Sequence, residues 1–438
     1  MPRKSLSVAV CGLGVVGREA ARLLHAGRTR WGARLGVPLR LAWVCDRQAA
    51  REAKALGLPA AVRRTADFRD VLADPAVDLV VELFGGLGAS HDLVLGALKA
   101  GKGVVTANKM LLSRHWDQVA AAARTGGAPL HFEAAVAGGV PIIRSLRTGL
   151  AADRVTSVHG ILNGTTNFIL SAMAHGGASF EDAVREAQRL GYAERDPSFD
   201  LNGTDAAHKV SVLASLLAGR WFPPQRVARE GIEAVEAGDI LWAVRELKRT
   251  VRLVGTAVVL RRGPVPLVEA HVRPTLVPLL HPLAGVHGGN NALLVTAEHA
   301  GDLMFYGPGA GAGPTASAVL ADVLAAAGEL LAGPGVGDAA PSSGGPCRAA
   351  DEAPAAHYLR WRVKDVPGAL ARIATVLGRL GVSLARVHQD DPPGGGRPVP
   401  VRLVTHVAPR ALIERARKAV SALPIVSGPH AALRVWPD

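Results

Sequence analysis

A glycine triplet near the start of the chain restricts its fold more than any other feature. Gly12-x-Gly14-x-x-Gly17 follows an apolar run at residues 5–10 and opens a helical stretch reaching about His25. A strand feeding a glycine turn and then a helix is the geometry of a dinucleotide-binding βαβ unit. Gly12 permits the tight turn. Gly14 lets backbone approach a pyrophosphate held at the helix N-terminus, and Gly17 lets helix and strand pack closely. On this reading Gly12, Leu13, Gly14, Val15, Val16 and Gly17 form a cofactor loop. A lone triplet can also be a bare tight turn; alternating strands and helices downstream give it weight.

Apolar runs at 39–45, 78–83, 103–106 and 129–133, with a helical stretch at 91–100, continue that alternation. It predicts an α/β fold with an N-terminal Rossmann domain, a doubly wound parallel sheet over residues 1–140. From 141 to 331 the pattern changes to strands at 156–162, 253–260, 267–274 and 291–296 separated by long helical stretches, an α+β substrate and oligomerisation domain. Residues 332–355, rich in Gly, Pro, Ala and Ser with little to bury, read as a linker. Residues 356–438 follow the order βαββαβ (357–363, 367–380, 382–387, 398–406, 409–423, 431–435), the ferredoxin-like pattern.

The net charge of +13 raises the question of nucleic acid, but the arginines are scattered singly, with no block and no aromatic interleaving. No nucleic acid is expected; a basic surface that attracts anionic cofactors and substrates is the simpler account. Cys11, Cys45 and Cys347 are far apart and odd in number, which argues for a reducing compartment and against zinc or a disulfide framework. No signal-peptide pattern and no apolar run of membrane-span length stand out, so a soluble cytoplasmic protein without a membrane partner is expected. The fifteen histidines show no metal-ligand spacing, and His281 and His287 read as packing residues.

The acid expected after the second strand is Asp46, 29 residues beyond Gly17 against the usual spacing of about 20. A basic insertion at 27–38, read as a solvated loop, accounts for the excess. Asp46 favours a free ribose hydroxyl and hence NAD. Arg47 and Arg51, with Arg28, Arg30 and Arg34, suit a 2′-phosphate, so NAD and NADP both stay open. Thr106-Ala107-Asn108-Lys109 ends the fourth strand, where open α/β sheets bind ligands; this puts Lys109 at the cofactor, although Asn-Lys also begins a plain helix.

Residues 191–209 pack four carboxylates and a lysine into a loop running into a helix. Asp205 and Lys209, four apart, share one helix face. Only nine of the 50 basic residues are lysine. A lysine set beside acids in such a composition points to an ammonium that must give up a proton, with an exposed ion-paired helix start as the alternative. Asn163-Gly164-Thr165-Thr166-Asn167 is a polar turn opening an apolar helix, either an ordinary cap or a holder for a small anion.

Together GLGVVG, TANK, FEAAVAGGVPII, GILNGTTNFIL, GYAERDPSFDLNGTDAAHK and GPGAGAGPTASAV resemble the homoserine dehydrogenases of the long bacterial type, in the same order and across essentially the whole chain. The resemblance implies NAD(P)H-dependent reduction of L-aspartate 4-semialdehyde to L-homoserine, on the route to threonine and methionine. Hydride delivery to an aldehyde creates an alkoxide that needs a proton and nearby positive charge. Lys209 and Lys109 are the candidate donors, either one, and Asp205 the group orienting them or the substrate. By family likeness Glu194 binds the substrate's amino group, with Asp200 a nearby carboxylate, and Asn163, Gly164 and Thr165 suit its carboxylate. The segment 305–320 is expected to return to the cofactor cleft, with Gly309 and Gly311 near the nicotinamide. A monovalent-cation site for Na+ or K+ is implied at Glu133 and the carbonyls of Val136, Gly138 and Val140; a plain strand-end acid is the alternative. Cys45 departs from the basic residue many relatives carry there.

The C-terminal unit resembles an ACT domain, marked by Lys364-Asp365-Val366-Pro367-Gly368-Ala369-Leu370. This implies threonine feedback, with a dimer-forming module as the alternative, and a homodimer or homotetramer. Two rival readings compete with this one. An aldehyde dehydrogenase needs a nucleophilic cysteine, and none is well placed. A non-catalytic amino-acid-sensing regulator that retains a dinucleotide fold is opposed by the intact set Glu194, Asp205, Lys109 and Lys209.

Overall fold

The computed structural model describes residues 5–261, 264–333, 345–390 and 398–437. The first sheet is built from β1 (Leu6–Cys11), β2 (Leu39–Cys45), β3 (Arg63–Thr65), β4 (Leu79–Glu82), β5 (Gly103–Thr106) and β6 (Leu130–His131). All pairings are parallel, and the order is β3-β2-β1-β4-β5-β6. This is the strand order of dinucleotide-binding doubly wound sheets, whose crevice opens where the order reverses, between β1 and β4. The strands are nearly continuous apolar runs because helices cover both faces. β3 was not expected: three polar residues give no hydrophobic signal. The run at 129–133 is a strand for two residues only and passes into a 3-10 turn at Glu133–Ala135.

The insertion at 27–38 is not a loop. Arg28–Leu35 is helical and closes on Gly36 in the left-handed conformation, φ 73°. None of its residues is fully buried. Trp31 and Leu35, one turn apart, nevertheless pack partly against the apolar cluster around Leu24 and Leu39, and that pair holds the helix down.

The second sheet contains eleven strands. Its middle-domain members are β7 (Val155–Ile161), β8 (Ala228–Arg229), β9 (Arg249–Arg261), β10 (Leu267–Pro278), β11 (Asn290–Ala297) and β12 (Gly301–Pro308). Next comes β13 (Arg348–Ala349), and the C-terminal unit adds β14 (His357–Val363), β15 (Leu384–Gln389), β16 (Val399–Thr405) and β17 (Val426–Val435). The C-terminal unit has the expected βαββαβ order and its own core of Leu359, Trp361, Ile373 and Ile413. It is not a separate bead, however. β17 runs parallel to β10 with Thr275 opposite Arg434 and Leu276 opposite Val435, which joins both units in one sheet. The same flank of β10 also pairs with β13 and β8, so its ladder groups are satisfied in three pieces.

Two expectations about the chain's middle need correction. Of the segment read as a linker, 334–344 lies outside the described residues, but the remainder packs against the protein. Cys347 is fully buried, and its N–H donates to Trp221 O at 2.7 Å. The return to the cofactor side is also longer than 305–320, because the whole helix Ala312–Ala332 packs on the helix Val15–Ala26 and on β4, β5 and β6. By length and composition alone this helix can cross a membrane, contrary to the reading that no such run exists. Here Ala316, Val319, Val323 and Ala327 face the first sheet's core, the behaviour of a core helix.

The glycine loop shows what each glycine is for. A Cβ on Gly17 would lie 1.8 Å from Gly12 O, and one on Gly12, φ 98°, would lie 2.5 Å from Leu83 O. A Cβ on Gly14 would meet nothing within 4 Å, so packing within the protein does not require that glycine. Gly17→Ala is therefore expected to lose about 1–3 kcal/mol of stability. Gly14→Ala should keep the wild-type thermal midpoint while weakening nicotinamide-nucleotide binding, as read by thermal melts and cofactor titration. Equal melting losses in both variants would contradict this division.

Candidate active site

The carboxyl ends of β1 and β5, the start of the helix Gly164–Gly176 and the helix Thr204–Ala218 converge on a cavity of about 510 Å³. At its centre is Asp205, on the first turn of the latter helix and buried. Lys209 Nζ lies 2.8 Å from Asp205 Oδ2, one turn along the same helix. Lys109 Nζ, from the first sheet's side, lies 3.1 Å from Asp205 Oδ1. The two lysines predicted separately thus meet on one carboxylate. Burial pushes the Asp205 carboxyl up, but the two ammonium groups outweigh it and hold it well below the usual carboxylate range. Lys209 also donates to Leu162 O at 2.6 Å. Its side chain is 12 % exposed against 32 % for Lys109, so Lys209 sits deeper.

Asn163 serves twice. Its Oδ1 caps the helix Gly164–Gly176 by accepting from Thr166 N–H at 2.8 Å. Its Nδ2 donates to Asp200 Oδ1 at 2.7 Å and to Asp205 Oδ2 at 2.9 Å. Burial and the neighbouring Asp205 charge raise the Asp200 carboxyl. Gly164 and Thr165 line the cavity beside them, with Thr165 donating its hydroxyl to Tyr192 O. The Tyr192 ring stacks on Phe168 and lies 2.5 Å from where a Cβ of Gly289 would stand, so a larger residue there would displace the ring. Glu194 is exposed, and its side chain is not part of the cavity lining; its carbonyl accepts from Gln188.

On the cofactor side Val16, Lys109, Gly138, Gly309 and Gly311 line the same cavity. Val15 stands 73 % exposed at the mouth of the glycine loop, an apolar residue without a protein cover. Asp46 Oδ2 accepts from Leu13 N–H at 2.9 Å and Oδ1 from Gln48 N–H at 2.9 Å, so this acid braces the loop. Arg47 beside it is exposed and carries no hydrogen bond or ion pair among the described residues. Thr106 does not face the cavity. Its hydroxyl donates to Glu82 Oε2 at 2.6 Å, while Glu82 Oε1 accepts from Phe84 and Gly85 N–H. Asn108 caps the helix Lys109–Gly126, which fixes where Lys109 begins.

Glu133, Val136, Gly138 and Val140 lie on one buried turn whose Ala137 and Gly138 are both left-handed, φ 57° and 54°. The Glu133 oxygens accept from Ile143 and Arg144 N–H, each at 2.8 Å, and its N–H donates to the buried Asp322 at 2.7 Å. Burial is the main force pushing the Glu133 carboxyl up to about 7, and Asp322 adds to it. Val140 O already accepts from Ile142 N–H. Among the described residues no group of three or more His, Cys, Asp or Glu side chains is placed to hold a metal ion.

Sequence reasoning missed Glu82, His208 and Ser113. Ser113 Oγ lies 2.7 Å from His208 Nδ1, tying the helix that carries Lys109 to the helix that carries Asp205 and Lys209. Burial drives the His208 imidazole down to about 4, which keeps it neutral and suited to this neutral pairing. A signal was present: Ser113 is one turn after Lys109, and His208 adjoins Lys209.

Family models match nearly the whole chain in three pieces. "Homoserine dehydrogenase, NAD binding domain" covers residues 12–133, "Homoserine dehydrogenase" 141–324 and "ACT domain" 357–424. The chain is 38% identical over 440 residues to a homoserine dehydrogenase of Pseudomonas aeruginosa, covering 99% of each. Among solved structures it resembles a homoserine dehydrogenase from Thiobacillus denitrificans with a TM-score of 0.89 at 37% identity, covering 99% of this chain and 98% of that one. It also resembles a hyperthermophilic archaeal homoserine dehydrogenase in complex with NADPH, with a TM-score of 0.61 at 28% identity. That match covers 74% of this chain and 97% of the archaeal one.

Proposed function

Because the chain belongs to the homoserine dehydrogenase family and is an oxidoreductase with a nicotinamide-binding domain, we propose that Lys209 is the proton donor when this cavity reduces L-aspartate 4-semialdehyde to L-homoserine. The observation that carries this reading is the Lys109–Asp205–Lys209 bridge. When bound, the nicotinamide nucleotide supplies the hydride. An ammonium has three protons; Lys209 commits two, to Asp205 and Leu162 O, and the third is left for the oxygen that gains negative charge. Lys109 adds positive charge from the cofactor side, and Asp205 holds both lysines. The N–H groups of Gly164 and Thr165 at a helix N-terminus suit the substrate carboxylate. Asp200 in the cavity wall and Glu194 on the exposed loop are the carboxylates offered to its ammonium. In the oxidative direction deprotonated Lys209 takes the hydroxyl proton.

The open space at Gly14 and the uncovered Val15 suit a dinucleotide lying over the loop. Arg47 is free for a 2′-phosphate, and Asp46, though each oxygen already accepts one backbone N–H, keeps a lone pair on each for a ribose hydroxyl. The deciding assay is purified protein with L-homoserine and NAD+ or NADP+ in turn, followed by absorbance of the reduced nicotinamide. Turnover is expected, and Lys209→Ala should lower kcat by about 10²–10⁴. Retention within twofold would remove Lys209 as donor; silence of the folded wild type with both cofactors would favour the sensor reading.

The turn at Glu133 also suits Na+ or K+. It offers carboxylate and carbonyl oxygens, and the buried carboxyls of Glu133 and Asp322 lie close together, with Arg144 and His131 beside them. A proton and the cation compete for Glu133. With its carboxyl raised to about 7, the group is ionised and receptive above that pH and protonated below it. KCl or NaCl, against choline chloride at equal strength, should raise the melting temperature more at pH 8 than at pH 5.5. An equal rise at both would count against the site.

Threonine regulation is proposed for the C-terminal unit. Gly368, φ 82°, opens the helix Ala369–Arg379 beside Asp365, whose Oδ1 accepts from Gln389. L-Threonine should lower activity and raise the melting temperature, and Asp365→Ala should reduce both effects; no response in either measurement would refute this. Exposed Met304 and Tyr306 on the edge strand β12 support assembly into a homodimer or homotetramer. A cytoplasmic location belongs to the same reading.

A further inference from the structure

Glu230 follows β8 and is tied to the middle sheet by its N–H, which donates to Val272 O at 2.9 Å. Its carboxylate faces the C-terminal unit. Oε2 accepts from Arg410 Nη2 at 2.7 Å and Oε1 from Arg417 Nη1 at 2.9 Å, both from the helix Arg410–Ser421. Arg273 Nη1 of β10 adds a third contact at 3.4 Å. The three arginine side chains are largely buried, so solvent and salt screen these contacts little.

The residues after Glu230 touch the active site's supporting turn. A Cβ on Gly231 would lie 2.2 Å from Leu201 O and 2.6 Å from Asn202 Cα; the two backbones are in direct contact. Ile232 N–H donates to Leu201 O at 2.9 Å. Leu201 ends the short helix Ser198–Leu201, and the residue before it is Asp200, whose Oδ1 meets Asn163 in the cavity. Only the strip 230–232 separates the C-terminal arginines from the turn that carries Asp200.

We infer that Glu230 is a positioning residue through which the C-terminal unit holds the Asp200 turn in register with the cavity. The inference rests on the proposed role of Asp200 toward the amino-acid substrate. With Glu230 neutralised, Arg273 keeps Glu352, and Arg410 and Arg417 keep Glu414, but the carboxylate that joins the middle sheet to the C-terminal helix is lost. The C-terminal helix and the strip 230–232 then loosen together, and Asp200 shifts. Lys109 and the glycine loop lie on another element and stay in place. A merely structural ion pair would lower stability and leave substrate affinity alone; a positioning residue changes substrate KM selectively.

The experiment uses full-length Glu230→Gln in L-homoserine oxidation. Its homoserine KM should rise about 3- to 30-fold, with the nicotinamide KM within about twofold of wild type. Arg410→Gln with Arg417→Gln, which breaks the link from the other side, should reproduce the rise, and Glu230→Gln should add nothing in an Asp200→Asn background. An unchanged homoserine KM in folded Glu230→Gln, or additivity in that background, overturns the inference. If Glu230→Gln does not fold, Arg417→Gln alone, at the least buried arginine of the link, decides by the same criterion. If Asp200→Asn itself leaves the homoserine KM unmoved, the substrate role of Asp200 fails first and takes the inference with it.

Discussion

One buried carboxylate holds the catalytic half of this molecule in register. Asp205 meets Lys209 from its own helix and Lys109 from the end of the dinucleotide sheet. Stripping a buried charge of its partner costs about 3–5 kcal/mol, so neither domain can drift without a large penalty. Asn163 and Leu162 O attach the substrate-side turn to the same group of charges. The neutral Ser113–His208 pairing ties the two lysine-bearing helices a turn further from the cavity. Two ammonium groups are thereby fixed side by side at the wall of the cavity.

The C-terminal unit is fastened by the same physics. Asp239, fully buried on the helix Ala237–Trp242, accepts from Tyr358 Oη at 2.6 Å and from Arg360 Nε at 3.0 Å, both on β14. Burying a charge is tolerable only when it is paired and hydrogen-bonded, and Arg360 meets this by also donating to Ala234 O and Pro429 O. The apolar cores hold each unit together. The charged contacts add to the β10–β17 pairing and the shared apolar cluster in setting how the units face one another.

Much of this was legible in the sequence because it is local. The glycine fingerprint encodes backbone clearances, and Gly12 and Gly17 show the contacts that require them. Asp205 and Lys209 are one helical turn apart, so their pairing follows from helix geometry. Lys109 was placed at the cofactor by its strand end, but its contact with Asp205 joins residues far apart in the chain and left no local trace. Asn163 was legible as a cap, not as a bridge to two aspartates. The helix Arg28–Leu35 hid behind arginines, since two half-buried side chains carry its docking. The continuity of β10 with β17 depends on register between two units, which periodicity within either one does not report. Glu194 lies in a strong motif, while its side chain is exposed and is not among the residues lining the cavity.

The helix Ala312–Ala332 covers a sheet whose strands all precede residue 132. That sheet's core includes Ala316, Val319, Val323 and Ala327 alongside Leu6, Val8 and Val10. A chain emerging from the ribosome therefore shows the bare face of its nucleotide-binding layer through the synthesis of roughly 180 more residues, at about 5–20 residues per second. The middle unit must take shape while the first is unfinished. The order of completion thus departs from the order of synthesis, and the earliest-made layer is sealed only after the strands of the middle unit have been made.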